Sequence, residues 1–211
     1  MNRQFTFKTV LGLLLTLGVG CLPFPVWVHE LKDARHMLAT EAIYWALVAA
    51  VLAYVMFVEK RSLISIGLRR ASMFDLFIGV VFALATIVGL AALYIVVIPA
   101  LHLETKSLDT LTAAPVWWLV ISVIRAGVSE EVLFRGYPIE RLKELTGSRV
   151  VAALVPLALF ALAHVGPWGW SHLIIAGFGG AMFTWLYFWR RSLWANILAH
   201  IMVDGIGLLA S

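Results

Sequence analysis

The sequence predicts an all-helical, multi-pass membrane bundle, and three observations carry that expectation. The chain of 211 residues is 62% hydrophobic and only 13% charged, against about 45–50% and about 25% in an average soluble domain. Its mean hydropathy is +0.95. The apolar residues are gathered into segments close to the roughly 17–25 residues that a helix needs to cross a bilayer. Nine Trp and twelve Phe suit the aromatic belts found at membrane interfaces. A single cysteine, Cys21, excludes an intrachain disulfide framework and a cysteine-rich metal site. No repeat, low-complexity tract or soluble domain interrupts the pattern, so residues 1–211 read as one integral membrane domain.

Seven spans are expected, over about 8–28, 37–58, 74–100, 115–135, 150–165, 170–189 and 193–210. The first follows Arg3 and Lys8 and ends near "LGVGC", an arrangement like a lipoprotein signal. The apolar run continues through Val28, however, and Gly18 fits poorly before such a cysteine, so the segment reads as a retained span. The fifth span is short. Between the fourth and fifth, "GYPIERLKELTGSR" is mixed and charged; it reads either as an extension of span four or as a helix lying in the interface. Residues 1–114 then supply N-terminal spans, and 115–211 form a core that carries the polar motifs.

Basic residues divide unevenly between the two sides of this bundle. One side collects twelve of the sixteen: Arg3, Lys8, Lys60, Arg61, Arg69, Arg70, Arg135, Arg141, Lys143, Arg149, Arg190 and Arg191. Lys32, Arg35 and Lys106 fall on the other, and Arg125 lies within span four. By the positive-inside rule the N-terminus is cytoplasmic and, with seven spans, the C-terminus is outside. The net charge of +4 is therefore a mark of topology, and nucleic acid is not an expected partner.

Three of the later spans carry ionisable side chains on an apolar background. Span four ends with Glu130, Glu131 and Arg135; span five holds "FALAH", ending in His164; span seven holds "NILAHIMVD", with His200 and Asp204. A central Asp, Lys or Arg costs about 2.5–3.5 kcal/mol on insertion scales. Several such groups together point to a protein-lined polar cavity. Helical spacing then distributes roles. Glu131 and Arg135 are four apart, with the carboxylate on the N-terminal side, which suits an intrahelical ion pair. Glu130 is turned about 100° round the helix, with Phe134 as its fourth neighbour. Glu131 reads as an anchor and Glu130, desolvated and lacking that partner, as a general base acting on water. His200 and Asp204 are also four apart, so Asp204 suits a hydrogen bond to one ring nitrogen of His200. Phe160 lies one turn before His164 and suits packing against it.

Two imidazoles and a carboxylate from three helices suit two kinds of chemistry. Glu130, His164 and His200 are able to hold a zinc ion with a position left open for water. They are equally able to hold a water without metal, the histidines donating to a developing oxyanion. Spacing does not choose between them. Arg125 suits neutralising the glutamate pair or meeting a substrate carboxylate. His172 reads as interfacial, after "GPWGW", and His29, His36 and His102 lie in or near expected loops.

Taken together the three segments resemble the CPBP family of intramembrane proteases, the CAAX proteases and bacteriocin-processing enzymes also called the Abi family. That family is recognised by E-E-x-x-x-R, F-x-x-x-H and H-x-x-x-Asn/Asp, in this order on separate membrane helices. Here they read Glu130-Glu131-Val-Leu-Phe-Arg135, Phe160-Ala-Leu-Ala-His164 and His200-Ile-Met-Val-Asp204. The flanking "FRGYPIERL" and "ISIGLRR" also look like family members. The resemblance implies an intramembrane endopeptidase acting on a membrane-associated or lipidated protein, in a prokaryotic cytoplasmic membrane. Glu130 would activate water, with Glu131 and Arg135 supporting it. His164 and His200 would bind the water, a metal or the oxyanion, and Asp204 would orient or assist His200. Zinc stays an optional cofactor, because the family is described both as metal-dependent and as metal-free.

Two rival readings use the same residues. A non-enzymatic immunity or regulatory membrane protein would use the cavity for binding alone. A transporter would use Glu and His as a proton relay, but no inverted repeat is visible. One geometric demand also stands out. At about 1.5 Å per residue, His164 lies roughly 22 Å along its helix from Arg149, whereas His200 is only about 13 Å from Arg191. For the two imidazoles to meet, span five must begin well outside the membrane core, or tilt.

Overall fold

A computed structural model describes residues 3–21, 34–105 and 114–209. Among them there is no β-strand, and the helices form seven rods. Helix α1 (Arg3–Leu13) continues into a π-helical turn (Leu14–Gly18), and α2 (Ala34–Ala53) into another (Tyr54–Val58). A 3₁₀ turn (Leu63–Ile66) leads to α3 (Met73–Ala92), which runs on through a π turn and one further α turn to Ala100. The fourth rod is α4 (Val116–Glu131), a π turn (Val132–Gly136) and α5 (Tyr137–Thr146). Then come α6 (Arg149–Trp168), α7 (Ser171–Arg190) and α8 (Leu193–Leu209).

The all-helical expectation holds, while the span count is coarser than seven. Four rods are long and apolar enough to cross a membrane: Ala34–Val58, Met73–Ala100, Arg149–Trp168 and Ser171–Arg190. Thr6–Gly18 and Leu193–Leu208 are apolar but shorter. The rod of α4 and α5 has the length, yet Arg125, Glu130, Glu131 and Arg135 interrupt its apolar character. The fifth expected span, short in the sequence reading, is a full helix of 20 residues. The continuation of the first span to residue 28 lies outside the described residues. The protein is an integral membrane protein on these helices.

The charged segment after span four extends that span instead of lying flat. The reason is that its charges are neutralised by neighbours in the bundle. Arg141 is fully buried; its Nη2 lies 2.6 Å from Glu59 and 3.0 Å from the Ser65 hydroxyl. The Tyr137 hydroxyl donates to the same Glu59 at 2.7 Å, and burial together with that carboxylate holds its phenol well above the ordinary range. Glu140 accepts from Arg191 at 2.6 Å and from the Tyr187 hydroxyl at 3.3 Å. Ser72 and Asp75 close a capping box at the start of α3, and Asp75 also ties Arg69 and Arg190 at 2.7 and 2.9 Å.

This extension resolves the depth problem. After Glu131 the rod continues for about 22 Å to Thr146. Gly147, at φ +70, then turns the chain into the Ser148 N-cap of α6, and α6 returns about 22 Å to His164. His164 thus comes level with the glutamates. On the other side, Leu193 at the start of α8 abuts Gly136. From there α8 rises about 10 Å to His200 while α4 runs back about 9 Å to Glu130.

Small residues let α8 come this close to its neighbours, as in many membrane bundles. A Cβ on Gly79 would stand 2.7 Å from the Ala195 carbonyl oxygen, and one on Gly127 2.5 Å from the Ile201 side chain. Gly179 has open space instead. Because a backbone carbonyl in α8 cannot swing aside, Gly79→Ala is expected to destabilise the protein by about 1–3 kcal/mol, with Gly179→Ala near neutral. Thermal unfolding of the two variants in detergent checks this, and equal midpoints would contradict it.

Candidate active site

The six residues singled out in the sequence come together where α4, α6 and α8 meet, and they fall into two layers. The inner layer is built on Glu131, which is completely buried. Its Oε1 accepts from Arg135 Nη1 at 2.9 Å and lies 2.7 Å from His200 Nδ1; its Oε2 accepts from Asn196 Nδ2 at 3.0 Å. A carboxylate with these partners is saturated. Arg135 is itself buried, its guanidinium 4.1 Å over the Phe160 ring and its Nη2 3.5 Å from the Gly180 carbonyl. The π turn at Val132–Gly136 supplies this arginine, a local irregularity of a kind that recurs at functional sites.

The outer layer faces open space. Glu130 Oε2 lies 3.9 Å from His164 Nε2 and 3.7 Å from His200 Nε2. Both separations exceed a direct hydrogen bond. The Glu130 side chain is 22% exposed and that of His164 24%, whereas His200 shows only 4%. Adjacent glutamates therefore occupy opposite environments, as the 100° turn between them requires.

Backbone and ring contacts fix both imidazoles. His164 Nδ1 lies 2.7 Å from the Phe160 carbonyl; that oxygen only accepts, so Nδ1 carries the proton and Nε2 faces Glu130. The Phe160 ring also packs on His164, at 4.5 Å between centroids. His200 is stacked on Phe183 at 4.7 Å. Its Nδ1 is taken by Glu131, and Asp204 Oδ2 stands 3.5 Å from the opposite nitrogen, Nε2. Asp204 pairs with His200 as the four-residue spacing suggested, 3.5 Å from Nε2; a second and shorter contact, 2.7 Å at Nδ1, comes from Glu131 on another helix. Asp204 is on the cavity side.

Three participants were missed in the sequence. Asn196 precedes His200 by four residues, and the ladder Asn196, His200, Asp204 on an apolar helix was a visible signal. Phe183 and Gly180 on α7 offered none. Asn196→Ala removes the donor to Glu131 Oε2 and to the Phe183 carbonyl at 2.7 Å. It is expected to cost about 1–3 kcal/mol and so to lower the unfolding midpoint in detergent; an unchanged midpoint would deny Asn196 this part. Arg125 does not serve the glutamate pair. Its Nε lies 3.3–3.4 Å from both oxygens of Glu41 on α2. His36, His102 and His172 lie outside the cluster, and His29 outside the described residues.

The donors Glu130, His164 and His200 are of the types zinc takes. As placed they do not close a metal-sized shell: among the described residues no three His, Cys, Asp or Glu side chains are so arranged.

Residues 112–206 match the family model described as Type II CAAX prenyl endopeptidase Rce1-like. Over this segment, a little under half of the chain, the protein is similar to the Rce1-like enzymes of the CPBP family. The matched segment contains every residue of both layers, from Glu130 to Asp204, and begins four residues before α4. The family so described is one of proteases. No curated protein and no solved structure matches the chain.

Proposed function

We propose that the protein is an intramembrane endopeptidase that hydrolyses a peptide bond of a membrane-associated or lipidated protein, using a water activated by Glu130. The observation that carries this reading is the convergence of one partly exposed carboxylate and two imidazole Nε2 atoms within 3.9 Å. A single water can touch all three. It would give one hydrogen bond to Glu130 and one to the Nε2 lone pair of His164. His200 has carboxylates at both ring nitrogens, Glu131 at Nδ1 and Asp204 and Glu130 at Nε2. That surrounding suits a proton on each nitrogen, so Nε2–H serves as a donor.

The bond changes follow from these positions. Glu130 removes a proton as the water oxygen bonds to the scissile carbonyl carbon. The carbonyl electron pair moves to its oxygen, which accepts from His200 Nε2–H. Glu130 then returns the proton to the amide nitrogen as the C–N bond breaks, leaving a carboxylic acid and a free amine; the water's second proton passes from the acid to the amine, giving carboxylate and ammonium. The first proton in this scheme is carried by the chain itself. Stoichiometric zinc in the purified protein would recast Glu130, His164 and His200 as metal ligands.

The N-terminus is placed on the cytoplasmic side in this reading, supported by the uneven division of Lys and Arg between the two sides of the bundle. Comparison of membrane-protein termini between cells carrying wild type and Glu130→Ala tests the function. New C-termini present only with wild type are expected; identical sets of termini would favour a binding protein that uses the same cavity.

A further inference from the structure

Most cations on the α5 side of the bundle are spent on carboxylates. Arg61 lies 2.6 Å from Glu144 and Arg141 2.6 Å from Glu59, while Arg69 and Arg190 both meet Asp75. Lys143 and Arg149 differ: among the described residues neither side chain has an ion-pair or hydrogen-bond partner. Both line one cleft between α5, α6 and the end of α7, together with Glu140, Arg191, Tyr187 and Phe188. Glu140 is already matched, by Arg191 at 2.6 Å and by the Tyr187 hydroxyl at 3.3 Å. The cleft is therefore left with the uncompensated charges of Lys143 and Arg149. Its volume of about 50 Å³ holds a few waters or one tetrahedral anion and is too small for a peptide.

We propose that this cleft binds the phosphate of an anionic phospholipid, with Lys143 and Arg149 as its charged donors and Arg191 held at its wall by Glu140. Position selects a lipid over a free anion. Helix α6 begins at Arg149 and α7 ends at Arg190, and both are long and apolar enough to cross a membrane. The cleft thus lies at the end of two spans, at headgroup depth. Beside it on α6, Val150 and Leu154 are 64% and 56% exposed and stand one turn apart, a strip of apolar surface for an acyl chain. A phosphodiester that carries such chains meets cations and apolar surface together, as acidic headgroups do in basic pockets between membrane helices. A headgroup held there bridges α5, α6 and the end of α7, and α5 and α6 are the helices that set the depth of His164. The inference is independent of the peptidase reading.

The test follows the unfolding midpoint of the full-length protein in a neutral detergent as dioleoylphosphatidylglycerol, dioleoylphosphatidylcholine or inorganic phosphate is added. A ligand of the folded state raises that midpoint. Wild type is expected to show a saturable rise with phosphatidylglycerol and little with phosphatidylcholine or phosphate. In Lys143→Gln/Arg149→Gln the concentration giving half the rise is expected to increase about 10- to 30-fold, at roughly a factor of five per cation. Lys60→Gln/Arg70→Gln removes the same charge from exposed positions outside the cleft and is expected to respond as wild type. So is Lys143→Arg/Arg149→Lys, which keeps both charges. An equal loss in the two Gln pairs overturns the proposal in favour of general surface charge, and equal rises with the two lipids overturn it as well. A rise with inorganic phosphate at the same concentrations replaces the lipid with a free anion. Native mass spectrometry of wild type gives a check that needs no variant: retention of phosphatidylglycerol in preference to phosphatidylcholine is expected, and no preference overturns the assignment.

Discussion

Purified Glu130→Gln protein is expected to insert and fold as wild type does and to lose about 10²- to 10⁴-fold in cleavage rate, the usual share of a general base. The substitution preserves shape and removes only the ability to take a proton. Nothing in the fold depends on this side chain: its distances to His164 and His200, 3.9 and 3.7 Å, are too long for direct bonds, and 22% of it is exposed. Cleavage of a membrane-bound reporter, with thermal unfolding alongside, reads both halves of the expectation. Near-normal cleavage by the variant would remove Glu130 from the chemistry.

The inner layer is expected to behave in the opposite way. Arg135→Ala leaves Glu131 buried without its cation, and breaking a buried pair by removing one partner costs about 3–5 kcal/mol. The loss spreads, because Glu131 also positions His200 and is held by Asn196. The expected outcome is a strongly lowered unfolding midpoint and little recoverable folded protein, with cleavage lost as a consequence. A variant as stable as wild type would show that the inner layer is not a structural clamp. The contrast between Glu130→Gln and Arg135→Ala is the sharper test, since the first should fail in the chemistry and the second in the fold.

Much of the site could be read from local spacing. The Glu131–Arg135 pair follows from four-residue periodicity within one helix, and so does the different setting of Glu130. Spacing was incomplete where a partner came from another helix. It found Asp204, 3.5 Å from His200 Nε2, but not Glu131, which holds the other ring nitrogen at 2.7 Å. Arg125 had no candidate partner within span four, and its carboxylate proved to be Glu41 on α2. The segment "GYPIERLKELTGSR" was left open between an extension of span four and an interfacial helix; Glu59, Ser65 and Arg191, which make its burial tolerable, are more than 40 residues away in the chain.

By itself the sequence determined that the chain is a helical membrane protein, which residues bear charge inside it, and which of them share a helix face. Those properties depend on composition and on a fixed 3.6-residue period, both local. Only the tertiary structure decided that His164 and His200 stand level with Glu130, that Asn196 and Phe183 complete the site, and that Arg125 belongs to Glu41. Depth and partnership depend on where separate helices begin and how closely glycines let them approach, and no single helix carries that information.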